Sequence, residues 1–504
     1  MSNLVWISNN RWPDPKNLKT FMQGILDIEK PKTGEERAIA LYRWLNRVLI
    51  LRDCNFEMSG NIAYVNQDAI KLLNVFCGHY CEGWGRLAAG LWNTTDLPAK
   101  KMVLSKKTAI HGHTENEFWY EDKDGISRWH AMDIMHQVAV YDKTGGHIAS
   151  FSEMGEDLSL VENPKIYLKP FYVRQQTKDT KSNTQYQIMP VESIAFDSLH
   201  VMDIPVRKGE EVIRYWDNFG KFHTTNKSVC STGWHDPYSL YEKDGSIVDP
   251  IDEIWERQYM KICTEPTCEM YGKKVKYFGN GEIIYKPSIT KKTILSGASP
   301  NPKNIEIEDG IIFPVREKLL SCLEFEVSSP YMMIESEIEV KFAKNGKYDI
   351  FEMCFSEGDP LNIIMLYAET AEKVTGKTVK VKLGKAEFEA GKPSAYGRYK
   401  YILRFQLLST GARTDTRVES FSIKTTFQHN MLVLPRLLPG KNIINVEASK
   451  PDTLNVAYSY SDAKKKDKLE QFETNKKKSN HKITTAAKNP WEVKCNYLSV
   501  KNRE

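Results

Sequence analysis

The hydrophobic positions change period along this chain. Between residues 33 and 51, Ala38, Leu41, Tyr42, Leu45, Val48 and Leu49 recur at helical spacing, and Thr33 with Glu36 offers a capping box. A helix is predicted over 33–51. A second, short helix is predicted over 67–74, capped by Asn66. A third begins near Cys81 and runs to about Trp92. Gly83, Gly85 and Gly90 each weaken it by up to about 1 kcal/mol relative to alanine. Glycines inside a helix permit close packing, which predicts a helix start set tight against a sheet.

After residue 100 the period shortens to two. Asp122-Lys123-Asp124-Gly125 separates the aromatic-bearing runs 113–120 and 128–134, which predicts a β-hairpin. Folding about Lys123 sets His113 directly opposite Asp133, whereas a two-residue turn at Asp124-Gly125 sets it opposite His136. Residues 166–303 give a mixed, β-rich middle region. Its Arg214-Tyr215-Trp216-Asp217 run, Trp234 and Trp255 suit anchoring of long loops better than a sugar-stacking surface. From 304 to 448 alternation is strong: Ile334, Ser336, Ile338, Val340 and Phe342 alternate with Glu335, Glu337, Glu339 and Lys341. Tyr399 to Leu407 and Phe421 to Phe427 repeat the pattern, and an antiparallel β-sandwich is predicted there. Residues 449–504 form a C-terminal extension around a lysine-rich insertion.

At 504 residues the chain exceeds one hydrophobic core, and two to four domains are expected. The net charge is +5, but residues 461–482 alone carry an excess of +4, leaving about +1 elsewhere. A near-neutral body argues against a nucleic-acid footprint. No apolar run of eighteen residues predicts a membrane span, and residues 1–15 show no secretory signal, although export with a removed signal stays open. Nine cysteines over this length form no dense disulfide framework. Cys263 and Cys268 read as scattered thiols rather than a bridge or half a metal site.

Chemistry concentrates in Cys77-Gly78-His79-Tyr80-Cys81, Gly112-His113 and Trp129 to Asp133. A thiol of reference pKa about 8.5 is mostly protonated at neutral pH. A helix N-terminus and a neighbouring imidazole each favour the thiolate. Cys81 fits the first by position; His113 can supply the second, with Asp133 fixing its tautomer. Cys77, His79, Cys81, His111 and His113 also form a Cys/His cluster in sequence, but Cys-x3-Cys and His-x-His match structural zinc spacings poorly. His79, His111 and His130 are read as non-catalytic.

The order of these pieces resembles the transglutaminase-like core of the papain-like cysteine enzymes: a helix, a cysteine opening a second helix, His-x-x-x-Glu on a strand, Trp-x-x-x-Asp on the next. His113 with Glu117, and Trp129 with Asp133, match those two strands; Gly78 stands three residues before Cys81 rather than two. Glu115 occupies a place where the family often has an aromatic. The resemblance covers about residues 33–145. It implies an α+β fold, with a transglutaminase-like (papain-like) N-terminal domain over 1–165 followed by β-rich domains including the antiparallel β-sandwich. It implies a Cys81–His113–Asp133 triad for amide hydrolysis or acyl transfer through a thioester, on a peptide or glycopeptide, with no cofactor or metal. The Cys81 backbone N–H would be one oxyanion donor; the second is unassigned. Glu117 is expected to pair within the sheet and Trp129 to pack beneath the site. The other reading is a non-catalytic scaffold that binds glycan or protein.

Overall fold

In the computed structural model the described residues are 2–51, 56–59, 62–65, 68–79, 81–105, 112–134, 139–163, 165, 187–189, 200–219, 221, 278–298, 302–358, 362–463 and 466–504. Trp234, Trp255, Cys263, Cys268, His111 and His136 lie outside them. The helices that concern the site are α1 (Leu18–Glu29), α2 (Gly34–Val48), α3 (Cys81–Asn93) and α4 (Phe151–Glu156). In chain order the main strands begin with β1 (Asn3–Asn9), β2 (Ala99–Ser105), β3 (Gly112–Glu121), β4 (Ser127–Met132), β5 (Glu210–Tyr215) and β6 (Phe278–Tyr285). They continue with β7 (Ser321–Lys344), β8 (Ile350–Ser356), β9 (Val374–Leu383), β10 (Arg398–Leu408) and β11 (Arg417–Asn430). The last are β12 (Gly440–Ala448), β13 (Leu454–Ser461), β14 (Asp467–Thr474), β15 (Lys478–Thr485) and β16 (Lys494–Asn502).

The predicted α+β class is overturned. Among the described residues, strands take 46% and helices 19%, and one antiparallel sheet alone runs to thirteen strands. The helices read from sequence do exist, but they form a layer on a protein that is mostly β. Strand pairing also crosses the boundaries drawn at 165, 303 and 448. Val5 pairs with Ala448, Arg214 with Leu498, and Ile283 with Thr425.

Local signals behaved unevenly. Thr33 caps α2 by accepting from Glu36 N, but the Glu36 carboxylate turns to Lys32 N instead of closing a capping box. The helix ends at Val48, because Ile50–Leu51 pairs in parallel with Gly78–His79. The predicted 67–74 helix is capped by Asp68, two residues later than expected, and becomes a π-type turn over Leu72–Phe76.

The sandwich is a single sheet folded over itself by β7. Its first half pairs with β10 from Ser321 to Ser328; its second half pairs with β9 and β11. The change falls at a register shift between Ser328 and Met333, where Pro330 has no N–H to give to a ladder. The two halves then face each other across one core. Phe325 on the first and Phe421 opposite the second are 4.9 Å apart, and Phe342 stacks on Phe351 at 3.7 Å.

A second core joins α1, α2 and α3 to β1, β12, β13 and β16. Side chains from the sandwich reach into it. Asn430, at the end of β11, donates to Val48 O at 2.9 Å and to Leu73 O at 2.8 Å. Gln428 donates to Val75 O. The lysine-rich segment is no insertion: β14 and β15 lie within it, pairing with β13 and β12. Lys478 and Lys482 take outward positions of β15, whereas Lys468 on β14 turns inward to the buried Asp462.

Candidate functional site

Cys81 is the first residue of α3. It is half-buried, carries a free thiol and leans on the helix-bearing core. Cys77 before it is buried, in a left-handed conformation (φ 61°) that ends the π-type turn.

Glu82, beside Cys81, anchors the helix start. Lys101 Nζ on β2 lies 2.6 and 2.7 Å from its two oxygens, and Arg86 Nε donates at 2.6 Å. Burial pushes the Glu82 carboxyl up, but these hydrogen bonds and the two cations outweigh it and hold it below the usual carboxylate range. Thr114 on β3 touches the same carboxylate at 3.4 Å.

Helix α3 runs alongside β3. Asn116 Nδ2 donates to Gly85 O at 2.8 Å, and Phe118 packs on Trp92 at 4.8 Å. The glycine at 85 is what lets the helix approach. A Cβ there would sit 3.1 Å from Thr114 Cγ2 and 3.4 Å from Lys101 Cγ. The expected close packing of this helix start is therefore present. Since Glu82 meets Thr114, Cys81 stands level with the beginning of β3. His113 is the second residue of that strand, with its backbone paired to Leu104. The His113 side chain is outside the described part of the structure.

Asp133 immediately follows β4 and is buried. Its neighbour Ile134 is strapped on both sides: the N–H donates to Glu115 Oε2 at 3.2 Å, and the carbonyl accepts from Asn46 Nδ2 at 3.1 Å.

The hairpin register differs from both expectations. Asn116 pairs with Met132, Trp119 with Trp129, and Glu121 with Ser127. Gly125 takes φ 77°, its N–H bonds Asp122 O, and Asp122 N bonds Ile126 O. That is a three-residue loop with glycine in the left-handed position, centred on Asp124. Extended by one pair, the register sets Asp133 against Glu115 and leaves position 113 diagonal to it, a spacing of about 7–8 Å.

Glu117 is structural, as expected, bonding Lys100 Nζ at 2.6 Å and Phe151 N at 2.7 Å. Trp129 packs edge-on against Trp119 at 5.2 Å and under Lys100 Nζ of β2 at 4.3 Å. His130 is fully buried, bonded to Ile148 O and stacked on Tyr120, and burial lowers its pKa. Trp216 and Tyr215 serve as anchors: the first packs on the helix-bearing core, the second donates to Glu282. Among the described residues no three His, Cys, Asp or Glu side chains gather in a way that would hold a metal ion. No described helix is long and apolar enough to cross a membrane.

Sequence reading missed the anchoring role of Glu82 and the part played by Lys101. Glu82 stood in the right stretch, but nothing marked Lys101, nineteen residues on, as its partner.

No protein-family model and no curated protein sequence matches this chain. Among solved structures it is similar to the N-terminal CBM22-1-CBM22-2 tandem domain from Paenibacillus barcinonensis Xyn10C, at 11% identity and TM-score 0.19, over 43% of this chain and 88% of that one. It is also similar to a β-D-mannosidase from Dictyoglomus thermophilum (10% identity, TM-score 0.13) over 36% of this chain. A Paenibacillus xanthan lyase (7%, TM-score 0.15) is matched over 41%. The chain spans about a quarter of the length of each of these last two enzymes. Similarity at these scores carries no argument about what the chain does.

Proposed function

We propose that the chain is a cysteine-dependent amide hydrolase or acyltransferase acting on a peptide or glycopeptide, with Cys81 as nucleophile, His113 as its base and Asp133 as the orienting carboxylate. The observation that supports this most is the placement of Cys81. A half-buried free thiol opens a thirteen-residue helix whose first turn is fastened, through Glu82 and Thr114, to the strand that has His113 as its second residue. The helix N-terminus carries roughly half a positive charge and favours the thiolate. Glu82 alone would oppose it, but Lys101 and Arg86 neutralise that carboxylate. In the reaction the Cys81 sulfur attacks the amide carbon while the thiol proton passes to the His113 ring. The ring protonates the leaving amine as the thioester forms. Water or an amine then resolves the thioester, with His113 again taking the proton. The Cys81 N–H lies at the free end of the helix, where it can donate to the oxyanion.

A non-catalytic scaffold is favoured by one observation. Thr114, Asn116 and Phe118 on β3 meet α3, whereas Glu117 meets α4, and position 113 has the parity of Glu117. Incubation of the full chain with a mixed peptide and glycopeptide library, read by mass spectrometry, separates the two readings. Mass changes lost in Cys81→Ala support the enzyme; an unaltered library with either protein supports the scaffold.

A further inference from the structure

Two arginines are buried near β5, and only one has a carboxylate. Arg207 is 4% exposed, and its Nε lies 3.0 Å from Glu210, which also accepts from its backbone N–H. Arg214 is 2% exposed. Its Nη1 reaches the Tyr331 hydroxyl at 3.2 Å, and its Nη2 has no partner. Among the described residues no acidic side chain pairs with it. A guanidinium taken out of water without an opposite charge is strongly destabilising.

A second buried donor stands two residues on. Trp216 Nε1 also has no partner, although Trp216 N continues the strand by bonding Asn496 O. Residues two apart on a strand share a face, and Arg214 and Tyr458 flank Leu498, to which each is paired on its own side. The Trp216 ring lies 6.4 Å from that of Tyr458. The surroundings are aromatic: Trp6 lies 5.9 Å from the guanidinium, while Tyr331 stacks on Phe427 and lies 5.7 Å from His429. His429 adds no positive charge, because burial first and Arg214 second lower its pKa to about 3.

We propose that Arg214 and Trp216 hold a small monovalent inorganic anion of the halide class inside the core. One unbalanced buried positive charge with an unpartnered N–H, on the strand face that also carries the unpartnered Trp216 Nε1, calls for a single compact anion. A phosphate or sulfate brings more charge and more acceptors than this site answers.

The test uses the full chain exchanged into sodium gluconate. Thermal unfolding is followed as chloride or bromide replaces gluconate at constant ionic strength. A ligand of the folded state alone raises Tm with concentration, so a rise that saturates is expected. Trp216→Phe keeps the ring and removes the donor; its saturation midpoint should move to higher halide. Arg214→Met should lose the response, and if that variant does not fold, Trp216→Phe and the next measurement decide. In crystals grown with bromide, an anomalous peak is expected within hydrogen-bond distance of Arg214 Nη2. A Tm indifferent to halide, an unchanged midpoint in Trp216→Phe, or no bromide peak at Arg214 overturns the proposal.

Discussion

Lys101 Nζ grips both carboxylate oxygens of Glu82, at 2.6 and 2.7 Å, one residue from the Cys81 thiol. Lys101 is buried, so this pair is shielded from solvent far more than a surface ion pair. It joins the first turn of α3 to β2, while Thr114 joins the same carboxylate to β3. The geometry of Cys81 relative to the sheet rests on this cluster.

Glu82→Gln should therefore destabilise the fold by about 3 kcal/mol at neutral pH, by leaving Lys101 buried without its counter-charge. The acid dependence has a definite sign. Glu82 is depressed in the folded state, so its contribution is present above the unfolded carboxyl pKa of about 4.3 and is lost as pH falls through the lower folded value. Urea midpoints measured from pH 7 to pH 3 should fall less steeply for the variant. An equal acid slope would show that the pair contributes nothing.

Gly34→Ala gives a test in which intrinsic propensity and packing disagree. Alanine favours a helix over glycine by about 1 kcal/mol. Here a Cβ would fall 2.4 Å from Tyr120 Cβ and 2.6 Å from its Cγ. Packing should win, with a net loss of about 1–3 kcal/mol in urea unfolding. A gain in stability would mean that α2 does not sit on the β3–β4 hairpin as described.

Asn430 is predicted to couple the sandwich to the helical layer. Its amide serves two carbonyls, Val48 O and Leu73 O, and its oxygen accepts from Leu432 N. Asn430→Ala leaves these buried groups unanswered, at about 1–3 kcal/mol for each group that finds no water. Hydrogen exchange should then speed up at the end of α2 and in Leu72–Phe76 as well as in β11. Faster exchange confined to β11 would contradict the coupling.

The parts of this fold that were readable in the sequence are those set by local chemistry. Thr33 marks the start of α2, Cys81 the start of α3, and Gly85 the close approach of that helix to β3, all from propensity and spacing. The alternation at Ile338, Val340 and Phe342 gave the sandwich, because one face of that strand half is buried. The overall class was not readable. The pairing of Val5 with Ala448 spans the chain, and no local pattern encodes such a partner. The hairpin register was missed for a smaller reason: Gly125 takes the third place of a three-residue loop, which moves every pair off both predicted alignments. Lys101 lay beyond reach because a lysine on a strand reads as solvated until its carboxylate is known.

The nucleophilic role of Cys81 is tested most directly by its alkylation rate with iodoacetamide at pH 6, followed by peptide mass spectrometry in the wild type and in His113→Ala. A thiol of pKa about 8.5 is well under one per cent thiolate at that pH, whereas an imidazole-paired one is largely ionised. The account predicts that Cys81 reacts more than about tenfold faster in the wild type than in His113→Ala, with Cys322, also half-buried, slow in both. Equal Cys81 rates in the two proteins, no faster than Cys322, would contradict it.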